Sequence, residues 1–455
     1  MSSISTSNVT SGFIDLATFD EIEKYLYGGP DATAYFVRET RKATWFTQVP
    51  VVLSRAAGSP GFGQEWSVSI SRAGDYMLHT WLRVTIPEVK AITTPLTKIR
   101  WTRNLMHNLV RECSITFNDL IAARFDNYHL DFWSAFTVPE GKRNAYKNMI
   151  GDIDELTQPC EVLPSSVLNL PLPFFYSRDS GVALPTAALP YNEMRINFYF
   201  RDWNQLLILQ DADGSGTTDG RLTVTSDKIQ GTPTLGSTQV WANYAIVSND
   251  ERKRMACAPR DILIEQVQTA PRQSFTPATN PQQSFDIRFS HAIKVLFFAV
   301  RNTTFAAEHS NYVTTSPVQE TGKINFSPVK GANDPISQTS LIYENTNRLA
   351  QMGSDYFSLV NPWYHAPVIP SDTGYHSYSY SLDFISLDPM GSTNYGKLTN
   401  VSIVPEAGAN AILAAGGLSP TGSGGSFKQS YEFIVTAVNN NIIRVSGGAL
   451  GFPVL

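Results

Sequence analysis

The chain has 455 residues, of which 42% are hydrophobic and only 16% are charged, and its formal net charge is −5. The charged fraction is low against about 25% for an average globular chain, and this composition excludes intrinsic disorder and supports a large core. No dense cluster of Lys and Arg is present, which excludes the positive stripe of a nucleic-acid-binding protein. Low charge with many aromatic residues indicates that much of the surface meets other protein.

The N-terminal segment is predicted to form an amphipathic helix from Phe13 to Tyr27, because apolar residues recur there at helical spacing. Gly28 to Pro30 follows and is typical of a helix end. No basic region precedes an apolar stretch at the N-terminus, so no signal peptide is expected. The apolar stretch Val295 to Val300 is far shorter than the roughly 20 residues that span a bilayer. We therefore expect a soluble protein that is made in the cytosol.

From Trp45 onward the pattern changes to short alternating runs, which are typical of half-buried strands. The predicted elements are, in chain order, strands at Trp66 to Ile70, Met77 to Ile86 and Leu109 to Phe117, a turn at Asn118-Asp119 and a helix at Asp126 to Phe136.

Phrases of the first half return in the same order in the second half. The matched pairs are Trp66–Ala73 with Phe285–Ala292, Ser114–Asp119 with Ser340–Asn345, Asp131–Pro139 with Asp355–Pro362, Arg195–Phe200 with Leu398–Ile403, and Ala242–Asn249 with Phe433–Asn440. Each match alone is weak because strands share alternating patterns, but five matches in one order indicate a duplication. A repeat of about 200 residues is a whole domain rather than a solenoid unit.

Each copy contains many short strands separated by Gly, Pro and Asn. This pattern predicts an all-β protein of two consecutive jelly-roll β-barrels, with short helices in the connecting segments and an N-terminal helical extension. The predicted domains are the extension at residues 1–44, a first jelly roll at 45–255 and a second at 256–455. The junction is placed at Ser248 to Pro259, where Ser248 and its neighbours can cap a short helix from Glu251 to Ala256.

Metal-binding patterns are incomplete. Asp211 to Leu222 has the spacing of a calcium loop, but Leu222 stands where a bidentate Glu is required, so a plain acidic surface loop is the preferred interpretation. Cys113, Cys160 and Cys257 are widely spaced, which suits a reducing compartment and argues against zinc. The histidines also lack the clustering of a metal-binding jelly-roll enzyme; they are His79, His107, His129, His291, His309, His365 and His376.

Catalytic patterns are incomplete as well. Gly61-Phe-Gly63 is followed by Trp66 at the third position of the dinucleotide-binding pattern, and a strand follows it. Gly417 to Thr421 departs from the nucleophile-elbow pattern at its last position. Asp152 and Asp154 carry no sign of an acid/base couple. The prediction is therefore a protein with no catalytic residue, no cofactor site and no metal site, which is not an enzyme.

Specific phrases are distributed in order along the whole chain. They are Asn8–Asp20, Leu26–Pro30, Trp45–Thr47, Phe62–Val68, Leu170–Phe175, Ser177–Pro185, Leu189–Glu193, Gly391–Gly396 and Gly451–Leu455. These phrases resemble the iridovirus major capsid proteins, and among them the sequence looks closest to those of invertebrate iridescent viruses. The segment Cys113 to Phe136 also resembles capsid proteins of the wider group of large icosahedral DNA viruses.

The resemblance implies a homotrimer of double jelly rolls with a nearly hexagonal outline, which tiles the outer icosahedral shell of a large DNA virus. It further implies neighbouring capsomers and minor capsid proteins as partners, and an inner membrane or its proteins as a further possible partner. The genome then lies inside that membrane, so no direct contact with nucleic acid is expected. The implied location is the virion, with assembly in the host cytoplasm and synthesis as a late protein.

Two other functions are compatible with jelly-roll barrels. A lectin-like module would use loop aromatics such as Trp363, Tyr364, Tyr375 and Tyr378, although these residues are more readily explained as barrel or trimer contacts. A metal-dependent enzyme is disfavoured by the histidine spacing. Negative-stain imaging separates the three, since only a capsid protein forms hexagonal particles or sheets.

Three segments are expected to lie outside the central strands. Asp211 to Thr238 and Asn302 to Gln338 interrupt the matched strands at unequal lengths, and we expect outward-facing loops at one end of the barrels. Residues 1–44 have no counterpart before the second copy, so they are expected outside both barrels on the inner side of the shell. The polar face of their helix is acidic, which favours a protein contact over lipid.

We expect no tight binding to duplex DNA at physiological salt, because the net charge is −5 and the first fourteen residues carry no charged side chain. Fluorescence-anisotropy titration of labelled duplex measures this, with a short oligolysine peptide as positive control. Submicromolar affinity with a steep salt dependence would contradict the prediction.

Overall fold

A computed structural model describes residues 2–25, 33, 35–36, 38–93, 97–211, 224–315, 318–320, 323–325, 333–418 and 428–452. The chain divides into two compact units, Met1–Trp45 and Phe46–Leu455. The helices are α1 (Ser2–Ala17), α2 (Leu105–Leu109), α3 (Asn127–Thr137), α4 (Glu140–Ile150), α5 (Asp154–Thr157), α6 (Asn249–Cys257), α7 (Asn361–His365) and α8 (Ala409–Ala415). None of the described helices is long and apolar enough to cross a membrane.

The strands up to Val247 are β1 (Phe46–Val52), β2 (Ser54–Gly58), β3 (Glu65–Ser69), β4 (Tyr76–Ile86), β5 (Val89–Lys90), β6 (Lys98–Trp101), β7 (Val110–Phe117), β8 (Leu120–Asp126), β9 (Val162–Leu163), β10 (Ser166–Pro171), β11 (Met194–Phe200), β12 (Leu207–Asp211) and β13 (Thr238–Val247). The later strands are β14 (Arg260–Thr269), β15 (Gln273–Phe275), β16 (Phe285–Asp286), β17 (Ala292–Asn302), β18 (Val318–Glu320), β19 (Lys323–Asn325), β20 (Ile336–Tyr343), β21 (Thr346–Gly353), β22 (His376–Ser379), β23 (Thr393–Asn394), β24 (Val401–Ala407), β25 (Tyr431–Ser446) and β26 (Ala449–Gly451).

The N-terminal unit differs from its prediction. Helix α1 begins at Ser2 and ends at Ala17, and a single 3₁₀ turn follows at Glu21–Tyr25, so the continuous helix predicted from Phe13 to Tyr27 is wrong. The side chains of Thr10 and Ser11 donate to the backbone carbonyls of Thr6 and Asn8, one turn earlier in the helix. Residues 26 and 27 lie outside the described part of the chain.

The first barrel is built from two antiparallel sheets. Sheet I has the strand order β1-β13-β4-β10, and sheet II has the order β2-β3-β11-β7-β8. Side chains alternate between the two faces of a strand, so one face of each sheet points into a shared core. Val68, Leu82, Ile196 and Val240 are completely buried there. The predicted strands at Trp66, Met77 and Leu109 are confirmed, except that Leu109 itself ends α2.

The second barrel repeats this arrangement. Sheet III contains the order β14-β25-β17-β22, and sheet IV has the order β16-β24-β20-β21. The repeated sequence phrases lie on strands with equivalent places: β3 with β16, β7 with β20, β11 with β24 and β13 with β25. Two consecutive jelly-roll barrels with short connecting helices are therefore confirmed.

The two copies also share a turn. Asn118 and Asp119 join β7 to β8, and both have a left-handed backbone with φ of 49° and 67°. Glu344 and Asn345 join β20 to β21 with φ of 47° and 64°. Two left-handed residues in succession form the type I′ turn, whose twist matches that of a hairpin. The predicted turn is confirmed, and its repetition follows from the matched phrases.

Helix α3 follows β8 of the first barrel and packs against the second barrel. Asp126 caps it by accepting a hydrogen bond from the backbone N–H of His129 at 2.9 Å, and the predicted helix at Asp126 to Phe136 is confirmed. Tyr128, Phe132 and Phe136 on this helix pack with Phe297 of β17 in one buried cluster. Sheet III is consequently apolar on both faces.

The segment between β17 and β20 is only partly an outward-facing loop. No strand is formed at residues 303–315, but residues 307–314 are all buried, and Ile336 to Gln338 already belong to β20. The predicted exposure of Asn302 to Gln338 is therefore wrong for these parts, because the polar residues there bond to the first barrel. Within Asp211 to Thr238, residues 224–237 contain no strand, and 212–223 lie outside the described residues.

Replacing Phe297 by Ala should lower the free energy of unfolding by about 3–5 kcal/mol. The Phe297 side chain has no exposed surface, and its ring contacts three other aromatic rings. Urea unfolding measures the change. The matched control is Leu120→Ala, because Leu120 is 41% exposed and its loss should cost about 0.5 kcal/mol or less. Equal effects of the two substitutions would contradict the prediction.

Candidate functional site: the barrel contact and the open faces

Aromatic rings of α3 lie on the outer face of sheet III. The ring centroids of Phe132 and Phe297 are 5.8 Å apart with 7° between their planes, and those of Phe136 and Phe297 are 5.4 Å apart. Phe384 meets Phe297 edge-on at 5.7 Å. Offset-stacked and edge-on pairs are the favourable geometries for aromatic rings, so this contact fixes one barrel against the other.

Asp131 of α3 is a fully buried carboxylate that both barrels satisfy. From the first barrel, it bonds to Nδ1 of His107 at 2.8 Å and accepts from the amide of Asn104 at 3.1 Å. From the second barrel, it accepts from the hydroxyls of Ser310 at 2.8 Å and Tyr312 at 2.7 Å. Burial and the neighbouring Asp131 raise the pKa of Tyr312 well above its usual value, so that hydroxyl remains a donor.

Charged pairs also cross between the barrels. Arg100 pairs with Glu308, and both side chains are almost completely buried. Burial raises the pKa of the Glu308 carboxyl, while the Arg100 guanidinium opposes the shift. Arg178 pairs with Glu265, and its guanidinium also lies 4.4 Å from the ring centre of Trp133. Removing one partner of such a pair is costly because it leaves a buried charge uncompensated.

Lys294 adds to this group from β17. It pairs with Glu265, so that this carboxylate meets a cation from each barrel. Burial lowers the pKa of Lys294, and Glu265 opposes the shift. We call the set Arg100, Asp131, Arg178, Glu265, Lys294 and Glu308 the polar seam. Sequence reasoning missed the polar seam, because its members are separated by long stretches of chain and carry no shared motif.

The histidines are dispersed, as their spacing indicates. His107 belongs to the Asp131 network, and His376 bonds to the Asp334 carboxylate at 3.0 Å. The Nε2 of His309 lies 2.9 Å from the carbonyl of Gln205. Among the described residues, no group of three or more His, Cys, Asp or Glu side chains is placed to hold a metal ion. Of the calcium-like stretch Asp211 to Leu222, all residues after Asp211 lie outside the described residues, and the absence of any site stays a prediction.

The cysteines and the candidate carboxylate Asp152 have separate structural environments. Cys113 is buried, Cys160 is half-buried and Cys257 is exposed, and none is in a disulfide. Asp152 lies 3.6 Å from the guanidinium of Arg103 and acts there as an ion-pair partner.

The four aromatics proposed for a lectin-like site separate into two pairs. Tyr375 and Tyr378 are buried in the barrel, so the lectin interpretation is wrong for them and the interpretation as barrel contacts is confirmed. Trp363 and Tyr364 on α7 are 71% and 72% exposed. Leu359 and Val360, four residues before them in adjoining helical turns, are 51% and 40% exposed, and Leu382, whose carbonyl lies 3.0 Å from Nδ1 of His365, is 70% exposed.

The outer face of sheet I is open, unlike that of sheet III. The residues of β4 alternate between buried and partly exposed, whereas all residues of β17 after Ala292 are buried. Trp81 and Trp241 stack on this open face with centroids 6.2 Å apart and 9° between planes. A groove of about 840 Å³ lies between this face and helices α3 and α4. Exposed apolar surfaces of this kind mark interaction sites for proteins, membranes or ligands.

Comparison with known proteins gives a major capsid protein family for each half of the chain. Residues 34–247 match the family "Major capsid protein N-terminus", and residues 251–451 match the family "Large eukaryotic DNA virus major capsid protein". The chain is 67% identical to the major capsid protein of Costelytra zealandica iridescent virus, with all of both chains covered. It is 66% identical to that of Invertebrate iridescent virus 6, also over all of both chains.

Similarity to solved structures concerns the fold. The capsid structure "PBCV-1 virus capsid, quasi-atomic model" matches with a TM-score of 0.74 at 20% identity, and the match covers 93% of this chain and 100% of that chain.

The buried His129 should make the protein less stable in mild acid. Burial, and secondarily Arg178, lowers the pKa of His129 from 6.5 to about 3. The unfolded chain therefore binds a proton below pH 6.5 that the folded chain refuses until about pH 3, so stability falls across that window. At pH 5 the loss from this residue is roughly 2 kcal/mol.

Comparing unfolding at pH 7.5 and pH 5 in the protein and its His129→Phe variant measures this contribution. The variant keeps an aromatic ring but cannot titrate, so its stability should fall less on acidification. An equal fall in both proteins would contradict the prediction.

Proposed function

Since the chain belongs to the major capsid proteins of large eukaryotic DNA viruses, we propose that it assembles as a homotrimer that tiles the outer icosahedral shell of the virion. Its role is structural: it is a component of the viral capsid, and self-association is what this role requires. The proposal covers three features: assembly into a trimer, packing of the trimers in the shell, and an inner membrane that the shell encloses.

The observation that carries the proposal is the repeated strand order of sheets I and II in sheets III and IV. Three chains with two similar barrels each supply six similar barrels around one axis. Such a ring has a nearly hexagonal outline although it obeys only threefold symmetry. Units with a hexagonal outline fill a flat facet without gaps.

Exposed apolar side chains support association beyond one chain. Trp363, Tyr364 and Leu382 are each at least 70% exposed. Soluble monomers rarely display large contiguous apolar patches, and such patches mark protein interfaces. The low charged fraction of the sequence has the same explanation, since charged residues are depleted at interface cores.

We further propose the domain division 1–44, 45–255 and 256–455, with residues 1–44 on the inner side of the shell. The four main sheets draw on strands of 46–247 and 260–451, which supports this division. Phe13 and Leu16 on α1 are exposed at 67% and 70%, so they are available to minor capsid proteins or to the inner membrane. Assembly then takes place in the host cytoplasm, without direct contact with the genome.

The purified protein should be a stable trimer at micromolar concentration, because an obligate interface typically buries roughly 2,000 Å² or more. Native mass spectrometry should give three times the chain mass, and negative-stain images should show hexagonal outlines. A monomer in both measurements would overturn the proposed assembly.

A further inference from the structure

The exposed apolar surface around α7 has a counterpart inside the chain. The repeat that aligns Asp131–Pro139 with Asp355–Pro362 makes the segment Tyr356–Val360, together with α7, the equivalent of α3. The apolar side of α3 is buried because Phe132 and Phe136 pack on the outer face of sheet III. Its equivalent in the second barrel is not covered by any described residue to the same extent.

The exposure values make the difference clear. Phe136 is completely buried, whereas Val360, its equivalent, is 40% exposed. Ala135 is half-buried, whereas Leu359, at the equivalent position, is 51% exposed. We call Leu359, Val360, Trp363, Tyr364 and Leu382 the α7 patch. It presents an apolar stripe of the kind that α3 buries, but no part of the chain that the structure describes buries it.

The surface that α3 covers also has an uncovered counterpart. Sheet III is covered by α3, and sheet I occupies the equivalent place in the first barrel. On the outer face of sheet I, Trp81 stacks against Trp241, and the amide of Asn243 bonds to Gln48 at 2.9 Å, so the strands form a continuous surface. Within the described residues, a helical segment of the second barrel and a sheet face of the first barrel are therefore both left open.

The chemistry of the two surfaces matches. The four strands of sheet I contain no Asp or Glu, and their charged residue is Arg83. The segment from Tyr356 to His365 contains no Lys or Arg, and Asp355 directly precedes it. An exposed Trp is the residue type most often found at the energetic centre of interfaces, and the groove beside Trp81 has room for such a side chain.

We propose that the α7 patch of one copy packs on the outer face of sheet I of the next copy, in the manner in which α3 packs on sheet III within one chain. This inference rests on the proposed trimer and names the surfaces that form it. The contact is head-to-tail, since each copy offers a patch to one neighbour and a face to the other. Such a contact closes into a ring when the third copy meets the first.

Two variants test the two sides separately. The patch variant carries Leu359→Ser and Trp363→Ser, and the face variant carries Trp81→Ser and Trp241→Ser. All four side chains are at least partly exposed, so the barrels should still fold. Each variant should be monomeric where the unmodified protein is trimeric, with association weakened by about 100-fold or more. Leu120→Ser, at the first residue of β8, is the matched control and should remain trimeric.

Mixing the variants gives the sharpest result. The intact patch of the face variant can bind the intact face of the patch variant, but neither can continue the ring. Native mass spectrometry of the mixture should therefore show a heterodimer, and each variant alone should show only monomers. Circular dichroism and thermal unfolding establish that both variants are folded.

The other outcomes are also decisive. If the unmodified protein is a monomer, the proposed trimer itself is wrong. If it is a trimer and the folded variants remain trimers, the trimer stands and the assignment of its surfaces is wrong. If both variants are monomers but their mixture forms no heterodimer, the two surfaces do not bind each other and the proposal is overturned. The same holds if deletion of residues 1–44, rather than either substitution, converts trimers to monomers.

Discussion

A sheet that is apolar on both faces needs a cover on both sides, and sheet III imposes this requirement on the whole chain. Its inner face packs with sheet IV in the second barrel, and its outer face meets α3, which the first barrel supplies. Exposing Phe297 and its neighbours to water would cost about 25 cal/mol for each Å² of apolar surface. The two barrels are therefore parts of one compact unit, as the common unit from Phe46 to Leu455 also indicates.

The polar seam gives this apolar contact a definite register. Asp131 receives donors from both barrels, and Glu265 meets cations from both, so sliding one barrel over the other would strand buried charges. Buried ion pairs add little net stability, because desolvation offsets their attraction. A capsid subunit must present its two barrels at a fixed angle to its neighbours, and in this chain the polar seam restricts that angle more than it adds stability.

The strands of sheet II were predictable because their signals are local. Trp66 and Val68 alternate with polar residues along β3, and Asn118-Asp119 are residue types that accept the left-handed backbone of the turn. The repeated phrases made the second barrel predictable from the first. The buried segment at 307–314 was not predictable, since its polar residues resemble a loop and its partners Arg100, Asp131 and Gln205 lie about 100 or more residues away. The start of α1 was missed because its first ten residues are mostly Ser, Thr and Asn, whose intrinsic helix propensity is low.

The duplication explains why one barrel contact is internal while its counterpart is left open. Two copies of a unit that buries its helical segment on the next unit make this contact once within the chain, and among the described residues the second helical segment and the face of sheet I stay open. In the proposed ring, three internal and three external contacts alternate around the axis. Threefold symmetry requires only that one internal and one external rotation add to about 120°, so the two contacts are free to differ as long as their sum is kept. The internal contact is fixed by Phe297 and the polar seam, so adjustment falls to the external one, where Arg83 is the charged residue on the four strands of sheet I and the other strand residues on the open face are uncharged.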